Sequence, residues 1–322
     1  MTLETAFEQF IEFKKLQGLA ETSINCYRSF VTPFLETVGF KCEISSVTES
    51  AIHNYISSLF DRDISKSTRA TYVRHLKCFL NWMKKYLDPI CPLFAILPLL
   101  SCFGLNMLIY SGTMVMCADW YHYDLTTSLD QAIPLVPGWM YIYFGCFLFW
   151  TVNYIMVARI NRNDPDTFYR FVAADMISRL VCGIIFMVFP TTNVRPEVTG
   201  TGFSVFLLQF LYGLDQPTNL FPSIHCLVSW FCYTGIRGRK EVPAWYRAFS
   251  CIFALLVVLS TQFTKQHYIA DAIAGVLLAE VLSLLTRRVS WYRAPKLIFT
   301  WVNRRLLYVL IRTKGVAREQ KN

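Results

Sequence analysis

From about residue 90 onward the chain is a succession of apolar runs of bilayer-spanning length, roughly 20 residues each, divided by short polar loops. In lipid such a run can satisfy its backbone polar groups only by coiling into a helix or by closing a barrel, and runs this continuous read as helices. That constraint leaves an all-α fold. Six spans are read, at about 90–116, 138–158, 170–190, 223–236, 245–262 and 267–287, the fourth of them short. A further stretch, GFSVFLLQFLYGL at 202–214, is too short to cross and is expected to be interfacial or re-entrant.

Residues 1–87 alternate charged and apolar residues in a globular manner, with four helical stripes. Leu3, Phe7, Phe10 and Ile11 mark the first. Ile24, Tyr27, Val31, Phe34 and Val38 mark the second, with Ser23 as its expected N-cap. Ile52, Tyr55, Ile56 and Leu59 follow Thr48, and Tyr72, Val73, Leu76, Phe79, Leu80 and Met83 follow Ser67. The expected fold class is therefore all-α, a six-helix transmembrane bundle preceded by a small soluble four-helix domain. The expected divisions are 1–87 for the soluble domain, 88–290 for the spans, and 291–322 for a basic amphipathic tail. In that tail Leu297, Trp301, Leu306 and Ile311 would lie in the headgroup layer. The first boundary is placed at Asp88–Pro89, where KKYLDPICP ends a basic helix and begins an apolar one.

The net charge of +9 is concentrated after residue 88, where 20 Lys and Arg face 12 Asp and Glu. Its distribution fits basic loops on one side of a membrane better than a nucleic-acid surface. The loop at 117–137 carries Asp119, Asp124 and Asp130 with no Lys or Arg. The loops and tail holding Arg159, Arg162, Arg237, Arg239, Lys240, Arg287 and Arg288 are basic, so they and the amino-terminal domain are expected to be cytoplasmic. No cleavable signal is read ahead of the first domain. The eleven cysteines form no CxxC pair and are expected to be small reduced hydrophobes.

The outer loops then keep only two basic residues, Arg195 and Lys265. Three segments meet on that side: FPTTNVRPEV at 189–198, FPSIHC at 221–226 and STQFTKQHYIAD at 260–271. They bring Arg195, Ser223, His225, Lys265, His267 and Asp271, together with two helix starts, which favour anions. His267 and Asp271 are four apart on one helix, so the carboxylate can fix the imidazole tautomer and leave the other ring nitrogen free to attack. His225 can supply a proton to a departing oxygen. These types suit phosphoryl transfer through a phosphohistidine, with no metal and no cofactor. Asp175 and Arg179, also four apart, read as a structural pair, and Glu280 is left open.

The segments resemble the type-2 phosphatidic acid phosphatase superfamily, whose motifs are K-x6-R-P, P-S-G-H and S-R-x5-H-x3-D. This chain has Arg195-Pro196, then Pro222-Ser223-Ile224-His225, then Ser260-Thr261, five residues, His267, three residues and Asp271. The resemblance implies His267 as nucleophile, Asp271 as its orienter, His225 as leaving-group acid, and Arg195 and Ser223 as phosphoryl ligands. Val188, Ile224 and Thr261 stand where the family has Lys, Gly and Arg. Lys265 is expected to restore one lost cation, and KQHY with Asp271 looks like the inositol phosphorylceramide synthase-like branch. The implied protein is a multi-pass membrane phosphatase acting on a lipid or isoprenoid phosphate at the outer face. The alternatives are transfer of a phospho-headgroup to a lipid alcohol, or a non-enzymatic, membrane-tethered DNA-binding or scaffold protein.

Residues 1–87 are similar to the SAM-like amino-terminal domain of phage-type tyrosine recombinases, a domain that grips DNA in that family. Arg62, Lys66, Arg69, Arg74, Lys77, Lys84 and Lys85 make the fourth helix and its approach basic. Membrane spans stand where the recombinase catalytic domain would follow, so recombination is not expected. DNA, anionic headgroups and a protein partner remain alternative ligands of this surface.

Overall fold

The computed structural model describes residues 2–44, 47–86, 91–303 and 305. The Asp88–Pro89 boundary and the tail positions Leu306 and Ile311 lie outside the described residues. Phe94–Thr300 forms one compact unit, and the residues before it belong to another.

In the first unit the four stripes coil into α1 (Leu3–Leu16), α2 (Glu21–Val38), α3 (Glu49–Ser58) and α4 (Lys66–Tyr86). Their apolar faces meet in an aromatic core. Phe79 of α4 lies edge-on to Phe7 at 5.3 Å, and Phe10 contacts Phe79, Trp82 and Tyr27 at 5.4, 5.5 and 5.1 Å. Burying each such ring contributes roughly 1.5–3 kcal/mol. Thr48 caps α3 by accepting the Ala51 N–H, as the sequence suggests. Helix α2 begins earlier than the Ser23 cap implies, at Glu21 with Ala20 in the cap position. Helix α4 likewise starts at Lys66, and Ser65 rather than Ser67 accepts the Thr68 N–H. Arg62, Lys66, Arg74, Lys77 and Lys84 are exposed, whereas Arg69 lies over the Phe60 ring at 4.3 Å and donates to the Leu59 carbonyl.

The second unit contains α5 (Leu93–Met116), a short α6 (Ser128–Ala132), α7 (Met140–Ile160), α8 (Pro165–Val188), α9 (Phe203–Leu214), α10 (Ile224–Ile236), α11 (Ala244–Phe263) and α12 (Ile269–Arg288). Among the described residues five helices, α5, α7, α8, α11 and α12, are long and apolar enough to cross a membrane. The six expected spans are thus five of full length and one, α10, of 13 residues. At 1.5 Å per residue α10 is only about 20 Å long. Its surroundings explain why that suffices. It packs against α7, α8, α11 and α12, and Cys226, Leu227, Phe231 and Cys232 are fully buried. A helix sheathed by protein does not have to match the lipid thickness, and the non-helical chain before it is tolerated because protein covers it.

Helix α9 buries Leu208 against Met140 and Tyr143, while Phe203, Phe206, Phe210 and Leu214 are exposed along its other side. This two-faced character fits an interfacial helix. Two-residue strands β1 (Tyr123–Asp124) and β2 (Thr191–Thr192) pair in parallel and tie the loop after α5 to the segment after α8. Inside the bundle, Asp175 and Arg179 form a buried pair at 2.6 Å, and the Tyr154 hydroxyl donates to the same carboxylate oxygen at 2.6 Å. Glu280 accepts from Arg237 at 2.6 Å and from the Trp230 indole at 2.9 Å.

Helices α10 and α12 cross in close contact. A Cβ at Gly275 would overlap the Ser223 carbonyl oxygen, which is backbone and cannot turn aside. Gly275→Ala is therefore expected to force the two helices apart and lower stability by about 1–3 kcal/mol, as overpacking does. Thermal unfolding of the purified protein checks this. Leu277→Ala, on the exposed side of α12, should change the midpoint far less.

Candidate active site

Three chain segments converge where α10 and α12 begin. Ser223 is the N-cap of α10, its Oγ accepting the Cys226 N–H at 3.3 Å. The first N–H groups of α10, at Ile224 and His225, have no acceptor in their own helix, so this end of α10 carries open donors and a positive dipole end. The Ser223 N–H donates to the Asp271 carbonyl at 2.9 Å, which pins the start of α10 to the first turn of α12. The Asp271 carboxylate accepts the Tyr268 N–H at 2.9 Å and so closes the N-terminus of α12.

His267 lies in the turn before α12 and is 6 % exposed. Its Nδ1 donates to the Leu220 carbonyl at 3.1 Å, with an Asp271 carboxylate oxygen at 3.7 Å. A carbonyl can only accept, so the proton sits on Nδ1 and the Nε2 lone pair is free. The orienting hydrogen bond is thus a backbone one, and Asp271 adds its charge from slightly farther away. Leu220 is itself fixed, because the Leu220 and Phe221 N–H groups both donate to Thr191 Oγ1 at 3.1 and 3.0 Å.

The second imidazole, His225 on α10, has its ring centroid 5.7 Å from that of His267. It is flanked by Tyr143 at 4.7 Å and Trp150 at 5.5 Å, both on α7. Aromatic faces hold the ring without engaging its nitrogens, which leaves them for a proton-transfer partner.

Arg195, in the segment after α8, is held on several sides. It donates to the Asp215 carbonyl, to the Asp215 carboxylate at 3.3 Å and to Gln266 Oε1 at 3.1 Å, and its guanidinium lies over Tyr212 at 4.8 Å. Its Nε is buried with no protein partner, as is Nε2 of Gln266, the residue before His267. Two buried donors left open are costly unless an acceptor arrives.

Lys265 has a different surrounding from that of a phosphate ligand. Its ammonium donates to the carbonyls of Asp130 at 2.6 Å and Ile133 at 2.5 Å, and its own carbonyl accepts from Asn193 Nδ2. It ties the turn before α12 to α6. Nor do the departures from the motif pattern supply cations: Val188 is 77 % exposed on α8, and Thr261 is fully buried, donating to the Val258 carbonyl.

Five of the six expected residues, Arg195, Ser223, His225, His267 and Asp271, are thus joined through direct contacts or through Gln266, and Lys265 stands behind them. Sequence reasoning missed Leu220, Gln266, Asp215 and the Tyr143–Trp150 flank. A backbone acceptor leaves no side-chain signature. Gln266 could have been noticed as the polar neighbour of His267. Chemically, this set can take an anion between two imidazoles, with one ring nitrogen free to attack and the other ring placed to exchange a proton.

Two known protein families match parts of the chain. The PAP2 superfamily model matches residues 119–285. The phage integrase N-terminal SAM-like domain model matches residues 6–89. No curated protein and no solved structure matches the chain.

Asp130 supports the site from α6. Its carboxylate accepts the Ile269 N–H at 2.9 Å and the Thr127 N–H and hydroxyl at 2.9 and 2.5 Å. Burial pushes its pKa up, but these hydrogen bonds outweigh burial, with help from Lys265, and hold it below the usual carboxylate value. A depressed carboxylate pKa gives stability that is present above the ordinary value and lost as pH falls through the lowered one. Asp130→Asn is expected to remove that acid-side loss of stability. The thermal midpoint, measured from neutral pH downward, should fall less steeply in the variant than in the parent.

Proposed function

Because the chain belongs to the PAP2 superfamily, a membrane phosphatase or phosphotransferase class, we propose that it cleaves a lipid or isoprenoid phosphate through a phosphohistidine on His267. The observation that carries this reading is the His267 ring, whose Nδ1 is bound to the Leu220 carbonyl and whose Nε2 is free, 5.7 Å between centroids from a second imidazole.

Nε2 of His267 attacks phosphorus. The N–P bond forms, the bond from phosphorus to the lipid oxygen breaks, and His225 as imidazolium gives its proton to that oxygen. The negative charge of the bound phosphate favours that imidazolium. The positive charge that grows on His267 is stabilised by Asp271, 3.7 Å from Nδ1. Neutral His225 then takes a proton from water, the water oxygen bonds to phosphorus, and the N–P bond breaks to return free His267. The Arg195 Nε, the Ser223 hydroxyl proton and the open N–H groups of α10 meet the charge on the phosphoryl oxygens. None of these steps calls on a metal or a cofactor.

The absence of two motif cations at Val188 and Thr261 favours a second reading, in which a lipid alcohol replaces water in the last step, as in inositol phosphorylceramide synthase-like enzymes. Loop charges support a cell-membrane protein with a cytoplasmic amino-terminal domain and the site at the outer face. For the SAM-like domain, the exposed bases of α4 support contact with DNA or another anionic partner.

His267→Ala is expected to reduce phosphate release from a lipid-phosphate panel to background in detergent, while chelator leaves the parent's rate unchanged. His225→Ala should slow cleavage of alkyl phosphates by about 10²–10⁴-fold and of a nitrophenyl phosphate much less. Equal losses for both leaving groups would remove its role as an acid. A tag in the 117–137 loop should react with an impermeant reagent on intact cells. Reaction only after permeabilisation would reverse the orientation.

A further inference from the structure

At the end of the bundle opposite the two histidines lies a cavity of about 420 Å³, framed by the last turns of α7, α10 and α12 and the first turns of α8. Along α10 it begins at Thr234, about 14 Å from His225 at nine residues of 1.5 Å each. Four arginines line it, Arg170, Arg237, Arg239 and Arg287, and no carboxylate does. We infer that this cavity is a second anion site, one that binds a phosphate ester headgroup or free phosphate and is separate from the two-histidine site.

The cavity wall carries an excess of positive charge. Two carboxylates pair with the four arginines, Glu280 with Arg237 at 2.6 Å and Glu241 with Arg239 at 3.2 Å. Two positive charges remain, about the charge of one phosphate monoester dianion. Guanidinium groups suit phosphate oxygens because their donors are planar and forked.

Unsatisfied polar groups line the same cavity. Arg239 Nε is buried without a protein partner. Arg287 makes no hydrogen bond or ion pair through its exposed side chain among the described residues. Asn161, 1 % exposed, spends its Nδ2 on the Val157 carbonyl and leaves Oδ1 without a donor, which suits a ligand hydroxyl. Thr234 and Ser283, both nearly buried, are hydrogen-bonded to each other at 3.1 Å and add polar lining at the same place. Arg170, by contrast, is engaged by the carbonyls at the end of α12 and serves as a wall.

The volume lies in the usual range for small-ligand sites, sufficient for a headgroup and far below a whole lipid. The geometry of the helices also separates the two sites. Each of α8, α10 and α12 carries the histidine site at one end and the arginine cavity at the other, so occupancy of one does not require the chemistry of the other.

The test uses full-length His267→Ala protein in phosphatidylcholine nanodiscs, which keeps the two sites apart. Phosphatidate in the disc is one probe and inorganic phosphate in solution is the other. Arg287→Gln, at an exposed side chain with no hydrogen bond or ion pair among the described residues, and Arg239→Gln should each weaken phosphatidate binding roughly tenfold, the effect of losing one charge-assisted hydrogen bond. Weakening with phosphatidate alone identifies a leaflet headgroup, and weakening with both probes identifies the phosphate itself. Either supports the site. Unliganded thermal midpoints check folding, and if Arg239→Gln is unstable, Arg287→Gln decides alone. Binding that neither substitution alters, or no binding of either probe, overturns the inference.

Discussion

The site depends on one backbone junction. The Ser223 N–H reaches the Asp271 carbonyl at 2.9 Å, and Gly275 lets the Ser223 carbonyl press against α12 where any side chain would collide. That junction fixes the starts of α10 and α12 against each other. His225 rides on the first turn of one and His267 in the turn before the other, so the gap between the rings is a property of the crossing. The Leu220 carbonyl then selects the tautomer of His267 from the same stretch of chain. Because the orienting groups are backbone, the geometry is set by helix packing and hardly at all by neighbouring side-chain rotamers.

Polar groups at membrane depth are costly unless partnered. Most in this bundle are: Asp175 with Arg179 and Tyr154, Glu280 with Arg237 and Trp230, Asn219 with Thr113. The unpartnered donors stand out against that background. Arg195 Nε and Nε2 of Gln266, the residue before His267, are open near one end, and Arg239 Nε is open at the other. Buried Arg179 Nε and Nη1 are also without a protein partner in the middle of α8, so an open donor alone does not mark a site; at the two ends of the bundle open donors coincide with a second feature, the paired imidazoles at one and the arginine cavity at the other. The short α10 links these ends, since its length is set by the protein around it rather than by lipid.

The sequence carried the fold at the level of spans because each apolar run has only one way to satisfy its backbone in lipid. The spacings Pro-Ser-x-His and His-x3-Asp made legible that His225, His267 and Asp271 stand near helix starts. The sequence says less about Lys265, whose retention on a face poor in cations reads as substrate contact while its ammonium donates to two backbone carbonyls. A charge count cannot distinguish an ammonium that meets phosphate from one that caps the Asp130 and Ile133 carbonyls. Ser23 misled as a cap for a related reason: a good capping residue near a helix start was overruled by packing that begins the helix at Glu21. The Leu220 acceptor and the aromatic flank of His225 were out of reach, because both arise from tertiary contact between distant segments.

The central claim is that His267 carries the phosphoryl group. The most direct measurement is to quench the protein during turnover of a lipid phosphate labelled at phosphorus and to map the label by mass spectrometry. The account predicts an acid-labile, alkali-stable label on His267 that disappears as product forms. A label on any other residue, or none at any time in protein that is turning over, would contradict it.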